Sequence, residues 1–578
     1  MTKDQRSTII VVYQNIGSGF ELLGDIKKAI FYLKKSIRLS LEYYDGSDLQ
    51  RFNLGRRYAL LGNTFSKVEN YIEALQNFKI ALGYLENGSL ESSIHKENLL
   101  LLYQNLSNLF LEKGDLNKAS SYISEAINIR FDKFSIRAYK SFELLGKIAH
   151  AKGNSAAARK YFRTSIDKIN ETEDFLDKEA KPRQYFLIGE IDLEEGHYTN
   201  ALQNLQTAII NMTFEYEDTS FTSNPPIQQM ISEPLAFKIL HYKAKTLHRL
   251  FDQTQDLRYL DAALDAAKVS AALVEKSRQE IVTQGSKQKL AGDALEVYET
   301  GIEIALALQE EKGDQKYLEE AFAFAESNKA ILLLESINET VAKSYGGIPD
   351  SSLEQEKDQR INIAFYEKEI YQERQKEEAD EEKLKLWENQ LFEYKQDYQA
   401  LVKRLEGEFP EYYEMKYNTH LASLSGLQER VIKDGEALVE YFVGVEKIYV
   451  FVVSKGAAEV IALEKAEDYE VPIFALRDAI LEVDNGVQFY QAILSKSSEL
   501  YDLYFAPIAE KLPAGTERIL LVTDDALGYL PFEVLLRKHP RLADRDITFS
   551  PEVLEYLFED YLINYHYSST LLEKSYEF

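Results

Sequence analysis

The chain has 578 residues, a formal net charge of −28 and no cysteine. That length exceeds a single hydrophobic core and calls for several folded segments or an extended repeat array. The acidic balance, spread along the chain, argues against nucleic acid and anionic membrane surfaces, which need a concentrated basic face. Zero cysteines exclude disulfides, thiolate metal sites and a cysteine nucleophile from this chain.

The amino terminus, MTKDQRSTIIVVYQ, has a short apolar run without a cleavage-site pattern, and nowhere do eighteen apolar residues run together. A soluble, cytoplasmic protein is expected. The eight histidines are scattered without HExxH-like spacing, so no metal and no cofactor is expected.

From Tyr13 the chain repeats itself. YQNIGSGFELLGDIKKAIFYLKKSI, beginning at Tyr13, superimposes on YQNLSNLFLEKGDLNKASSYISEAI, beginning at Tyr103. The first copy carries Tyr13, Ile16, Gly17, Phe20, Ala29, Leu33 and Ser36, and the second Tyr58, Leu61, Gly62, Phe65, Ala74, Phe78 and Ala81. The third has Tyr103, Leu106, Ser107, Phe110, Ala119, Ile123 and Ala126, and the fourth Phe142, Leu145, Gly146, Ala149, Ala158, Phe162 and Ser165. A fifth has Tyr185, Ile188, Gly189, Ala201, Leu205 and Ala208, with Asp192 breaking the pattern. Small residues let the two helices of a hairpin approach, and the large ones fill the space between hairpins. The Gly-Asp steps at Gly24 and Gly114 end one helix and start the next.

This pattern resembles the tetratricopeptide repeat (TPR). The units start 45, 45, 39 and 43 residues apart, longer than the roughly 34 usual for that repeat. Such spacing is similar to that of bacterial TPR arrays preceding CHAT domains. Residues 1–278 are read as TPR-like helical repeats, with a degenerate sixth unit over Leu235 to Arg278 and an extended loop at Phe251 to Leu257. Two further helices, Leu295 to Leu308 and Leu318 to Ile337, cap the array within 279–350. Over 351–410 the apolar residues Leu384, Trp387, Leu391, Tyr394, Tyr398, Leu401 and Leu405 alternate steps of three and four. That is a coiled-coil seam, and a helix around Ile361 to Glu377 pairs with it in an antiparallel hairpin.

After Pro410 the period changes. Ala437 to Val453 reads as a β-hairpin, Ala458 to Leu463 as a third strand, Tyr469 to Glu482 and Gln488 to Phe505 as helices, and Arg518 to Thr523 and Tyr561 to Tyr567 as strands. The alternation predicts an α/β domain over 411–578. Its segments EYFVGVEKIYVFVV, LYDLYFAPIAEKLP, RILLVTDDALGYLPFEVLL and YLINYHYSSTLL resemble, in order, the amino-terminal half of a CHAT domain, a caspase-related module. The fold class is therefore mainly α, a TPR solenoid with a helical hairpin, followed by a partial α/β caspase-like domain. The resemblance implies that a catalytic histidine and cysteine lie beyond Phe578. His539 and His566 have the wrong flanks for that histidine, and no catalytic residue is carried over. A sheet lacking later strands is expected to leave an edge near Arg518 to Thr523 or Tyr561 to Tyr567 that invites self-association.

Two adjacent carboxylates, Asp524 and Asp525, fall on the turn after a strand and are expected to point apart rather than to form an acid pair. The residues expected to face a peptide groove are Gln14, Ser18, Asn63, Gln104, Asn108, Glu143, Lys147 and Glu190. They make a polar surface with almost no basic character, suited to neutral or basic ligands rather than to clamping an acidic terminus. The reading is a noncatalytic protein- or peptide-binding sensor or adaptor; the alternative is the amino-terminal part of a caspase-like cysteine protease.

Overall fold

The computed structural model describes residues 3–22, 26–86, 93–129, 138–171, 178–213, 215–230, 234–280, 284–329, 349, 351–352, 354–355, 357–359, 361–362, 365–366, 381–409, 421–481, 487–537 and 554–576. It divides into two bodies, Met1–Gly313 and Asp314–Phe578.

The first body is a series of antiparallel helix pairs: α1 (Lys3–Leu22) with α2 (Ile26–Glu42), α3 (Asp48–Ser66) with α4 (Tyr71–Glu86), and α5 (Ser93–Glu112) with α6 (Leu116–Asn128). They continue as α7 (Ala138–Ala151) with α8 (Ser155–Asn170), α9 (Ala180–Glu194) with α10 (Tyr198–Asn211), and α11 (Pro234–Thr254) with α12 (Leu257–Glu280), followed by α13 (Gln284–Lys312). The repeated residue types explain the pairing. At Gly146 an added Cβ would stand 2.4 Å from the Phe162 ring, so only glycine lets α7 approach α8. Gly114 takes a left-handed φ of 74° that ends α5, and the Asp115 side chain accepts the Lys118 N–H to start α6.

Asp192 is buried and receives Arg159 at 2.7 Å and the Asn204 amide at 2.9 Å. The break in the fifth signature is thus a charge paired with the preceding hairpin. The connection expected as an extended loop at Phe251 to Leu257 is instead two residues, because both helices run on to Thr254 and from Leu257 and Gln255 turns the chain at a φ of 58°. The long excursion lies between α10 and α11. Thr213 bridges Met230 across it, and Lys243 of α11, fully buried, donates to Gln206 Oε1, the Ser223 carbonyl and Asn224 Oδ1 at 2.8, 2.5 and 2.9 Å. Burial pushes the Lys243 amine down to about 7.

In the second body, α14 (Lys316–Glu326), α15 (Glu381–Glu408) and α16 (Leu424–Arg430) precede a five-stranded sheet. In α15, Leu391, Leu401 and Leu405 are buried and Tyr394 stacks on Tyr366 at 5.6 Å; most of the expected partner helix lies outside the described residues. The strands are β1 (Glu436–Val443), β2 (Lys447–Ser454), β3 (Ala458–Glu464), β4 (Arg518–Val522) and β5 (Leu562–His566), in the order β3-β2-β1-β4-β5. β1 pairs antiparallel with β2, β2 antiparallel with β3, and β1, β4 and β5 run parallel. β4 is interior, and β5 forms one edge of the sheet as described.

One sheet face, with Val439, Tyr441, Val450 and Leu521, packs on α17 (Glu470–Leu481) and α18 (Val487–Tyr504) through Ile473, Leu476, Leu500 and Tyr504. On the other, Phe322 of α14 meets Phe451 edge-on at 5.3 Å. After β5 comes α19 (Ser569–Ser575). Among the described residues no helix is long and apolar enough to cross a membrane.

Candidate functional site

The first helix of each pair turns one polar row toward the first helix of the next. Thr64 of α3 donates to Glu21 of α1 at 3.2 Å, and Lys67 pairs with the same carboxylate at 2.6 Å. Gln104 of α5 donates to Ser141 of α7 at 2.9 Å, Gln184 of α9 to Glu143 of α7 at 2.9 Å, and Tyr242 of α11 to Glu190 of α9 at 3.0 Å. His241 of α11 meets Thr300 of α13 at 2.9 Å. Each link joins a hairpin to its neighbour through a buried or partly buried polar contact, and so helps fix the rotation of one unit on the next.

The residues singled out from the sequence divide along this row. Gln104 and Glu143, 2 % and 8 % exposed, are committed to the links between hairpins. Burial would push Glu143 up, but the cations of Lys147, at 2.8 Å, and Arg183 hold it below the usual carboxylate range. Burial raises Glu190, aided by Glu194. Asn63 donates to Glu21 at 3.4 Å, and Asn108 to Glu112 of its own helix at 2.7 Å. Gln14, Ser18 and Lys147 are half-buried. The inner row missing from the sequence reading, Glu21, Ser141, Gln184 and Tyr242, has one signal: Ser141 and Gln184 are polar residues immediately preceding the large residue of a repeat.

The second body has its own polar centre. In sheets with parallel strands ligands gather beyond the strands' carboxyl ends, where β1, β4 and β5 finish at Val443, Val522 and His566. Glu440 of β1 is fully buried on the α14 face, and Lys329 reaches it at 3.0 Å with its own side chain 2 % exposed. Glu326, also buried, accepts the N–H groups of Ser569 at 3.2 Å and Thr570 at 2.7 Å together with the Thr570 hydroxyl at 2.5 Å. The Ser569 hydroxyl donates to Glu440. Burial, with the like charge of Glu440, pushes Glu326 up to about 8.

Asp524, after β4, accepts the Val443 N–H at 2.8 Å and its neighbour's N–H at 3.1 Å. Asp525, at a φ of 45°, accepts the Tyr469 hydroxyl. The adjacent carboxylates point apart, each held in its own contact. Glu326, Lys329, Glu440, Ser569 and Thr570 are turned to one another, a bolt between α14, the sheet and α19 rather than an open acid–base pair. His566, the one histidine described in this body, is half-buried with Nε2 lacking a hydrogen-bond partner, and burial lowers its pKa. His539 lies outside the described residues.

Family comparison agrees with the residue patterns on which the resemblances rested. The model for the tetratricopeptide repeat matches residues 10–43 and 101–133, and that for the CHAT domain matches residues 494–577. The chain carries tetratricopeptide repeats and a CHAT-domain segment. The TPR matches fall on α1–α2 and α5–α6, and the CHAT match runs from α18 through β4 and β5 into α19. No curated protein matches the chain.

Among solved structures, BtubC (BKLC) from P. vanneervenii is 14 % identical, covering 43 % of this chain and 92 % of that one, with a TM-score of 0.35. The apo form of RapI is 13 % identical, covering 61 % and 99 %, at 0.33, and PilW, a type IV pilus biogenesis factor, is 17 % identical, covering 46 % and 96 %, at 0.27. The CHAT domain belongs to a caspase-like protease family, yet this TPR-CHAT chain holds no cysteine and supplies no thiol nucleophile.

Proposed function

We propose that the TPR array of this chain holds an extended peptide or a helix of a partner protein along the row formed by the first helices, and that the CHAT-type body serves as a noncatalytic sensor or adaptor element. The observation that carries the reading is the succession of paired helices, two of which, α1–α2 and α5–α6, match the tetratricopeptide repeat, a protein-interaction module. Along that row the half-buried Gln14, Ser18, Asn108 and Lys147 and the exposed Glu194 offer polar groups to the backbone of a neutral or basic segment. The polar centre of the CHAT-type body is spent on internal contacts, which suits a docking role better than chemistry.

Site-specific photocrosslinking in the source cells tests this. A benzophenone side chain at Ser18 or Asn108 should trap the same partner, whereas one at Lys79 or Lys160, exposed on second helices, should not. Equal trapping from both sets, or none from the first, would remove the reading.

A further inference from the structure

A cleft of about 500 Å³ opens where the start of α1, the end of α2 and the start of α3 meet, lined by Arg6, Ser7, Tyr43, Asn53 and Arg57 among others. Arg57 is 6 % exposed, and its one polar contact among the described residues is the Ser36 hydroxyl, which accepts from Nε at 3.1 Å and itself donates to the Ile10 carbonyl at 2.8 Å. That leaves the two terminal nitrogens of a buried guanidinium for the cleft. No carboxylate pairs with Arg57 among the described residues. Burial, together with the like charge of Arg56, lowers it to about 10.

Arg6, also lining the cleft, lies 4.4 Å over the Tyr43 ring, and its buried Nε lacks a hydrogen-bond partner. The one acid on the rim, Asp45, is exposed and caps the Ser47 N–H at 3.0 Å. Buried charges in folded proteins are paired, so two cations left facing one cleft mark a place for a negative group from outside.

The corresponding positions in the later hairpins sharpen the point. From the second repeat on, the residue preceding the large residue is Arg57, Leu102, Ser141, Gln184 and, before Tyr242 of α11, His241, all buried, and only Arg57 is a permanent cation. The surrounding sequence shares the bias. Residues 1–67 carry eleven Lys and Arg against six Asp and Glu, a net of +5, within a chain of −28.

We infer that this cleft, apart from the inner row of first helices, seats an Asp or Glu carboxylate of an acidic segment in the partner protein, held by Arg57 and Arg6. A planar carboxylate matches the two terminal nitrogens of a guanidinium. The assignment rests on the peptide-binding reading above and adds the chemistry of one end of the ligand.

The test is fluorescence anisotropy of the full chain with a labelled, carboxy-terminally amidated peptide of Glu and Ala, beside its Gln-for-Glu counterpart and a version with a free terminal carboxylate. The Glu peptide should bind and the Gln peptide should not. Arg57→Gln should weaken binding about tenfold or more, as expected for a lost hydrogen bond to a charged group. Lys27→Gln, the same charge change at an exposed site, should stay within about twofold. If Arg57→Gln does not fold, Arg6→Gln carries the same test.

Equal losses from Arg57→Gln and Lys27→Gln, or equal binding of the Glu and Gln peptides, would overturn the assignment. Binding of the Gln peptide only when its terminus is free would overturn the side-chain source. Crosslinking from Ser18 and Asn108 that persists in Arg57→Gln alongside unchanged affinity for the Glu peptide would dismiss this cleft and leave the inner-row reading standing.

Discussion

Removing the Lys329 ammonium should loosen the second body more than any surface change. Lys329 and Glu440 meet at 3.0 Å with side chains 2 % and 0 % exposed, so no water screens them. Lys329→Met strands Glu440 beside Glu326 in the interior, and breaking such a pair from one side costs about 3–5 kcal/mol. Amide exchange read by mass spectrometry on peptides from β1 and β2 should then accelerate by about a hundredfold or more, since each 1.4 kcal/mol of opening free energy is about a factor of ten. Peptides from α5 and α6 should be unchanged. The double variant Lys329→Met/Glu440→Gln should recover most of the loss, because it removes the stranded charge while Gln still accepts from Ser569. Acceleration below about threefold, or a double variant no better than the single one, would refute the placement of this pair at the centre of the body.

Other outcomes follow from named contacts. Glu326 is raised to about 8 from an ordinary 4.5, so the folded state holds a proton that the unfolded chain releases; the stability it contributes is complete below pH 4.5 and is lost as pH rises through 8. Amide exchange in β1 should therefore report lower opening free energy at pH 8.5 than at pH 6 after correction for intrinsic rates, and Glu326→Gln should flatten that difference. Gly146→Ala drives a methyl group into Phe162 and should destabilise the first body by about 1–3 kcal/mol in urea unfolding followed by circular dichroism. Gly83→Ala, which meets nothing within 4 Å, should be neutral or stabilising by up to about 1 kcal/mol. Lys243→Met removes the two contacts that Lys243 makes to the excursion between α10 and α11, at Ser223 and Asn224, and chymotrypsin should cut faster at Tyr216 and Phe221.

What the sequence discloses depends on how far apart the interacting residues lie. The hairpins of the first body are legible because their determinants are local: a small residue such as Gly146 opposite Phe162, or a Gly114-Asp115 step, recurs at a readable spacing. The same holds for β1 and β2, whose apolar run and short turn announce a hairpin. Contacts across the fold are not legible in this way. The segment AFAFAESNK looks like an amphipathic helix capping the repeats, yet Glu326 and Lys329 reach Thr570 and Glu440, 244 and 111 residues away. Glu440 was visible only as a lone carboxylate inside an apolar strand.

The candidate groove was partly legible for a related reason. Positions that face inward on a first helix are also where adjacent first helices meet, so Gln104 and Glu143 serve the solenoid itself. Arg57 escaped notice because a cation just before the large residue of a repeat looks like a solvated charge until Ser36 and the α2–α3 packing are seen around it.

The most direct measurement is hydrogen–deuterium exchange of the full chain with and without the partner trapped by crosslinking. The account predicts added protection on the first helices α5, α7 and α9, with the second helices α6, α8 and α10 little changed. Protection confined to the second helices, or to the sheet of the second body, would contradict it.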